Sequence, residues 1–130
     1  MGSNVAEAPG DVRGIENATR AEVVMEAFRT IADGVAFDPA QAAKTDLVRG
    51  DRLFVGLNCF EPGQGQKVHA HAGADKFYLI VSGRALMIVG EETREAGAGT
   101  LVWAPADVPH GVAEALERTV MLVAIAPPPR

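Results

Sequence analysis

The chain has 130 residues, 48% hydrophobic and 22% charged, with 14 Gly and 8 Pro. That length can bury one substantial core but not two, and the composition is that of a folded domain. The formal net charge of -5, with 12 Lys and Arg scattered among 17 Asp and Glu, excludes a basic surface for nucleic acid.

No apolar run approaches the ~20 residues of a membrane span. The opening "MGSNVAEAPG" has neither the basic start nor the apolar stretch of a signal peptide. The lone Cys59 lies inside the strand-like "RLFVGLNCF", where a small buried hydrophobe is the expected role. These features predict a cytoplasmic protein with no membrane partner.

Residues 1–18 are small and polar without periodicity and read as a flexible arm. "TRAEVVMEAFRTIADG" follows, with Thr19 and Glu22 spaced as a capping box, Val24, Phe28 and Ile31 on one helical face, and Gly34 as a stop. The pattern predicts an N-terminal helix of about 14 residues within a 19–46 helix-and-connector segment, its stripe packed on a β core or a second subunit.

The remainder, 47–130, reads as one β domain. Eight candidate strands succeed one another: "RLFVGLNCF", "QKVHAH", "KFYLIVS", "ALMIV", "ETREA", "TLVWA", "HGVAEA" and "TVMLVAIA". The breaks "EPGQG", "AGAD", "SGR", "VGE", "AGAG" and "PADVP" have the turn chemistry of antiparallel meanders and barrels. Several strands are apolar on both faces, which suits a barrel wall between an interior and a covering layer. The closing prolines of "APPPR" lack the donor a sheet requires and end the domain.

His69 and His71 are separated by one residue, so in a strand they share a face about 7 Å apart. Such a pair is also found as plain surface decoration. The third and last histidine, His110, follows the rigid turn "PADVP" after an apolar strand.

The two segments resemble the paired motifs of the cupin superfamily. The first motif runs Gly, five residues, His-x-His, three or four residues, Glu, six residues, Gly, and Gly63, His69, His71 and Gly83 fit it. The second runs Gly, five residues, Pro-x-Gly, two residues, His, three residues, Asn. Gly99, Pro105 and His110 fit, while Asp107 stands for the second glycine and Glu114 for the asparagine. The match covers residues 47–126. It implies an all-β fold, a small antiparallel β-barrel of the double-stranded β-helix or jelly-roll type preceded by the helix, with a metal held in its interior by His69, His71 and His110. It also implies pairing into a homodimer. It does not name a reaction, because the superfamily spans oxygenases, isomerases, decarboxylases, storage proteins and sensors.

The position of the motif's glutamate is held by Lys76, while Asp75 satisfies the shorter permitted spacing. If Tyr78 and Ile80 share the face of Lys76, that face is the interior, and Asp75 must bend to reach a metal. A charged lysine about 4 Å from a divalent ion would be repelled by several kcal/mol even at an effective dielectric near 20. Lys76 can escape by losing its proton, by pairing with Asp75 or Glu114, or by holding an anionic substrate. It can also snorkel to the barrel mouth and form an ordinary ion pair.

Three imidazoles without a carboxylate suit Fe, Zn, Ni, Co or Cu better than Mg, Ca or Mn. Tyr78 and Trp103, with Phe60, Met87 and Met121, are candidates to line the cavity and equally candidates for core. The leading expectation is a metal-dependent dioxygenase or isomerase acting on a small organic compound. The alternative is a metal-free ligand-binding or sensor module without catalytic activity.

Overall fold

The computed structural model describes residues 27–129. Nine strands occur among the described residues: β1 Ala43–Arg49, β2 Phe54–Phe60, β3 Gln66–His69, β4 Asp75–Ser82, β5 Arg84–Val89, β6 Glu92–Gly97, β7 Leu101–Ala104, β8 His110–Ala115 and β9 Thr119–Ala126. They form two antiparallel sheets, one ordered β1-β2-β9-β4-β7 and the other β3-β8-β5-β6.

The period of two along each strand divides the residues between two apolar layers. Phe60, Tyr78, Ile80, Met87, Met121 and Val123 point between the sheets and form the main core. Leu47, Leu57, Cys59 and Val120 point to the other side of the five-stranded sheet, where Ile31, Val35 and Phe37 cover them. This second layer explains why β2 and β9 are apolar on both faces. Cys59 is fully buried in it, as a core hydrophobe.

Two expectations need correction. The closed barrel is instead an open pair of facing sheets, since no ladder joins them among the described residues. The edges discourage closure: β6, "ETREAG", turns mostly charged residues to solvent, and β7 is only four residues long.

The predicted helix is also absent from the part that can be seen, for residues 27–34 hold only a 3-10 turn at Ile31–Gly34. Residues 19–26, like the arm 1–18, lie outside the described residues. Phe28 is 90% exposed, so at that position the anticipated stripe buries nothing, and a short helix owes most of its stability to such burial. Ile31 instead joins Val35 and Phe37 against the sheet. Gly34 lets the chain come close, for a Cβ there would stand 3.0 Å from the Leu47 side chain.

β1, which the sequence pattern does not mark as a strand, starts at Ala43, ahead of the expected boundary at 46/47. Its polarity is inverted. Ala43 and Leu47 face the outer layer, while Lys44 and Asp46 face the space between the sheets and line a cavity there.

Candidate metal centre

Two of the three histidines stand on neighbouring strands and the third in the loop after one of them. His69 ends β3 and lies directly opposite His110, which begins β8. His71 follows two residues after His69, past the end of the strand. Ring centroids are 4.9 Å apart for His69 and His71, 4.6 Å for His69 and His110, and 5.3 Å for His71 and His110. One ligand nitrogen from each ring lies within 4.8 Å of the other two.

Hydrogen bonds to backbone carbonyls orient two of the rings. Nδ1 of His69 lies 2.8 Å from the Lys67 carbonyl oxygen, and Nδ1 of His110 lies 3.0 Å from that of Val108. A carbonyl can only accept, so each Nδ1 carries the proton and each Nε2 keeps a lone pair. Nε2 of His71 and Nε2 of His110 are buried with no hydrogen-bond partner. Buried polar atoms are nearly always satisfied, so two orphans turned toward one another in a three-imidazole cluster fit a metal.

The electrostatics keep the His71 and His110 rings neutral. Burial pushes His110 down to about 4, with Lys76, His69 and His71 adding to the effect, although its bond to Val108 works the other way. Burial also lowers His71, followed by the charge of Lys76 and then those of His69 and Lys44. Uncharged imidazole is the form that ligates a metal.

The loops that carry His71 and His110 are tied together. Asp107 donates its backbone N–H to the His71 carbonyl at 3.1 Å and accepts from the Gly73 N–H through its carboxylate at 3.3 Å. Its φ of 69° lies in the left-handed region, which explains how an aspartate can stand where the motif has glycine. Asp75 adds a third tie by accepting from the Ala106 N–H at 3.0 Å.

That role takes Asp75 away from the centre: it is exposed and is not part of the cluster of metal-capable side chains. Lys76 does face inward and is only 3% exposed. Its Nζ sits 4.5 Å from the centroid of the Tyr78 ring. Neither Asp75 nor Glu114 pairs with it, and no ion pair to it occurs among the described residues, so the snorkelling arrangement is not adopted. Burial, then the charge of Lys44, pushes Lys76 down to about 8, which still leaves it mostly protonated at neutral pH.

Tyr78 is fully buried, donates its hydroxyl to Gln66 Oε1 at 2.7 Å, and places its ring 6.2 Å from that of His110. Burial raises the pKa of its phenol, which stays neutral. Trp103 does not line this space. It is 51% exposed and borders a groove between β6 and β7 instead, because alternation in β7 buries Ala104 and turns Trp103 out.

A cavity of about 240 Å3 opens beside His69, His71 and Lys76. Sequence reasoning missed Lys44, Asn58 and Gln66 in its wall. Asn58 had a usable signal, an amide in the middle of the otherwise apolar "FVGLNCF". Lys44 had none, since β1 shows no clean apolar alternation.

A family model described as a cupin domain matches residues 56–126, more than half of the chain. The chain belongs to the cupin family. An uncharacterized protein of Streptomyces coelicolor is 35% identical to this cupin over 106 residues, covering 80% of this chain and 90% of that protein. TT1209 from Thermus thermophilus has a crystal structure that superposes with a TM-score of 0.75 at 34% identity, covering 80% of this chain and all of that one. A RmlC-like cupin from Desulfovibrio desulfuricans gives a TM-score of 0.71 at 24% identity, with 80% and 99% covered, a likeness of fold alone. The buried Lys76 stands where the cupin motif has its glutamate.

Proposed function

We propose that this cupin binds one divalent transition metal, Fe, Zn, Ni, Co or Cu, through His69, His71 and His110, and acts on a small organic compound in the adjoining cavity. The observation that carries the reading is the pair of buried, unpartnered Nε2 atoms of His71 and His110 beside His69. A metal held there supplies Lewis acidity toward a substrate oxygen, or a site where a chelating substrate meets dioxygen, hence the two reaction classes, isomerase and dioxygenase.

The chain's own residues do the positioning. The Nδ1–H groups of His69 and His110 fix their rings against Lys67 and Val108. The Asp107 ties hold the His71 loop against the turn before His110. Tyr78 does not line the cavity itself but lies behind it, its hydroxyl bonded to Gln66 and its ring against Lys76 and His110, and it keeps its proton at neutral pH. Apolar Phe54, Val123 and Ile125 limit water around the substrate.

A second reading is a ligand-binding or sensor module without catalysis, favoured by the cation of Lys76 where the motif has a metal-binding acid. Protein expressed without a His-tag separates the two when its metal is measured alongside that of His110→Ala. Stoichiometric metal in the wild type, lost in the variant, supports the metal centre. A metal-free wild type that binds an organic ligand supports the sensor. We also propose homodimer formation through the outer face of β4 and β7, where Leu101 is 56% exposed beside Trp103.

A further inference from the structure

The wall of the cavity carries more positive charge than its own groups neutralise. Lys44, Asp46, Arg49 and Lys76 all line it. Arg49 is engaged, with Asp46 at 3.9 Å, the Pro129 carbonyl at 3.1 Å and the Phe54 ring at 4.8 Å. Lys44 and Lys76 have no carboxylate partner among the described residues. Lys76 is 97% buried, since only 3% of it is exposed, and an uncompensated ammonium at that depth is costly unless a counter-charge joins it.

We propose that Lys76, assisted by Lys44 at the mouth, holds the carboxylate of a small organic acid in this cavity, beside the three histidines. This assignment rests on the cavity being the substrate site proposed above and names the class of its substrate. The surroundings fit an acid with an apolar body. Two lysines match one or two negative charges. The Oε1 of Gln66 is taken by the Tyr78 hydroxyl, so its NH2 is the end free to donate to a carboxylate or a substrate oxygen. Val123 and Ile125 offer apolar surface that an inorganic anion would leave unused. A volume of about 240 Å3 is smaller than the roughly 300–1,000 Å3 of pockets for drug-sized ligands, which keeps the acid small.

The test uses full-length protein, as purified and after stripping with a chelator. Succinate and benzoate, their neutral amides, and inorganic phosphate are titrated calorimetrically. The Lys76 side chain is followed by NMR after 13C labelling of lysine at Cε, and metal content is measured on every sample. The proposal expects at least one of the acids to bind tenfold or more tightly than its amide and to shift the Lys76 resonance. Lys76→Gln should lose tenfold or more of that affinity, and Lys44→Gln a smaller part, with the metal content of both variants unchanged.

Equal binding of acids and amides, no binding of either acid, tighter binding of phosphate, or undiminished affinity in Lys76→Gln would each overturn it. Should Lys76→Gln fail to fold by circular dichroism, the Lys76 resonance in wild type and the Lys44→Gln variant decide. The metal reading fails separately: a wild type without metal that still binds acid through Lys76 keeps this proposal and removes that one. Metal present with no preference for acids does the reverse.

Discussion

Lys76→Met should make the metal-stripped protein more stable at neutral pH, because it replaces a buried cation by an apolar chain of similar length. Lys76 is buried, lacks an ion-pair partner and is pushed from the ordinary 10.5 down to about 8. That gap corresponds to a penalty of about 3 kcal/mol on the charged form. The Nζ contact over the Tyr78 ring, lost in the variant, returns about 1 kcal/mol. The net expectation is a gain of about 2 kcal/mol at pH 7.

The sign with pH follows from linkage. Below pH 8 the lysine is protonated in both states and the penalty is fully present. Between about 8 and 10.5 the unfolded chain keeps a proton that the folded one has released, so the wild type gains stability as pH rises. Urea unfolding of both proteins at pH 7 and pH 10 reads the difference. The variant's advantage should shrink to near zero by pH 10. A wild type more stable than Lys76→Met at pH 7, or a difference that does not change with pH, would refute the reasoning.

Acid should destabilise the metal-stripped protein between the ordinary imidazole value of 6.5 and about 4, since His110 stays neutral when folded and takes a proton on unfolding. Allowing for screening around the cluster, the loss is about 2 kcal/mol, and a thermal melt of His110→Gln in the same pH range should show a shallower fall. Asp107→Ala should cost about 1–2 kcal/mol through the strained left-handed backbone and the lost tie to Gly73. Asp107→Gly relieves the backbone but not the tie, so in chemical unfolding it should lie between Ala and wild type. Charging the outer face with Leu101→Glu and Trp103→Glu should turn a dimer into a monomer in light scattering after gel filtration, whereas an unchanged mass would place the interface elsewhere.

The β framework was legible because Gly and Pro breaks separate the runs, and all eight candidate runs contain strands, β2 to β9. The histidine cluster was legible too, since alternation puts His69 and His71 on one side and the spacing to His110 matched a known motif. The same alternation placed Lys76 inward with Tyr78 and Ile80, as the burial pattern of β4 shows.

The failures came from contacts that no local pattern encodes. β1 hides because its polar side faces a cavity and its apolar side faces an outer layer. Of the two described residues of the helical stripe, Ile31 covers the sheet and Phe28 stays exposed. Asp75 had ligand spacing but is used by the Ala106 N–H. Trp103 was open to either role, and which way β7 turns depends on its pairing with β4.

The central claim is that three imidazoles grip one ion. X-ray absorption at the metal edge of untagged, natively purified protein, with elemental analysis of the same sample, tests it directly. The account predicts close to one transition metal per chain and about three imidazole nitrogens at ~2.0–2.1 Å, with both signals gone in His110→Ala. A metal ligated by sulfur or carboxylate alone, or one retained unchanged in His110→Ala, would contradict it.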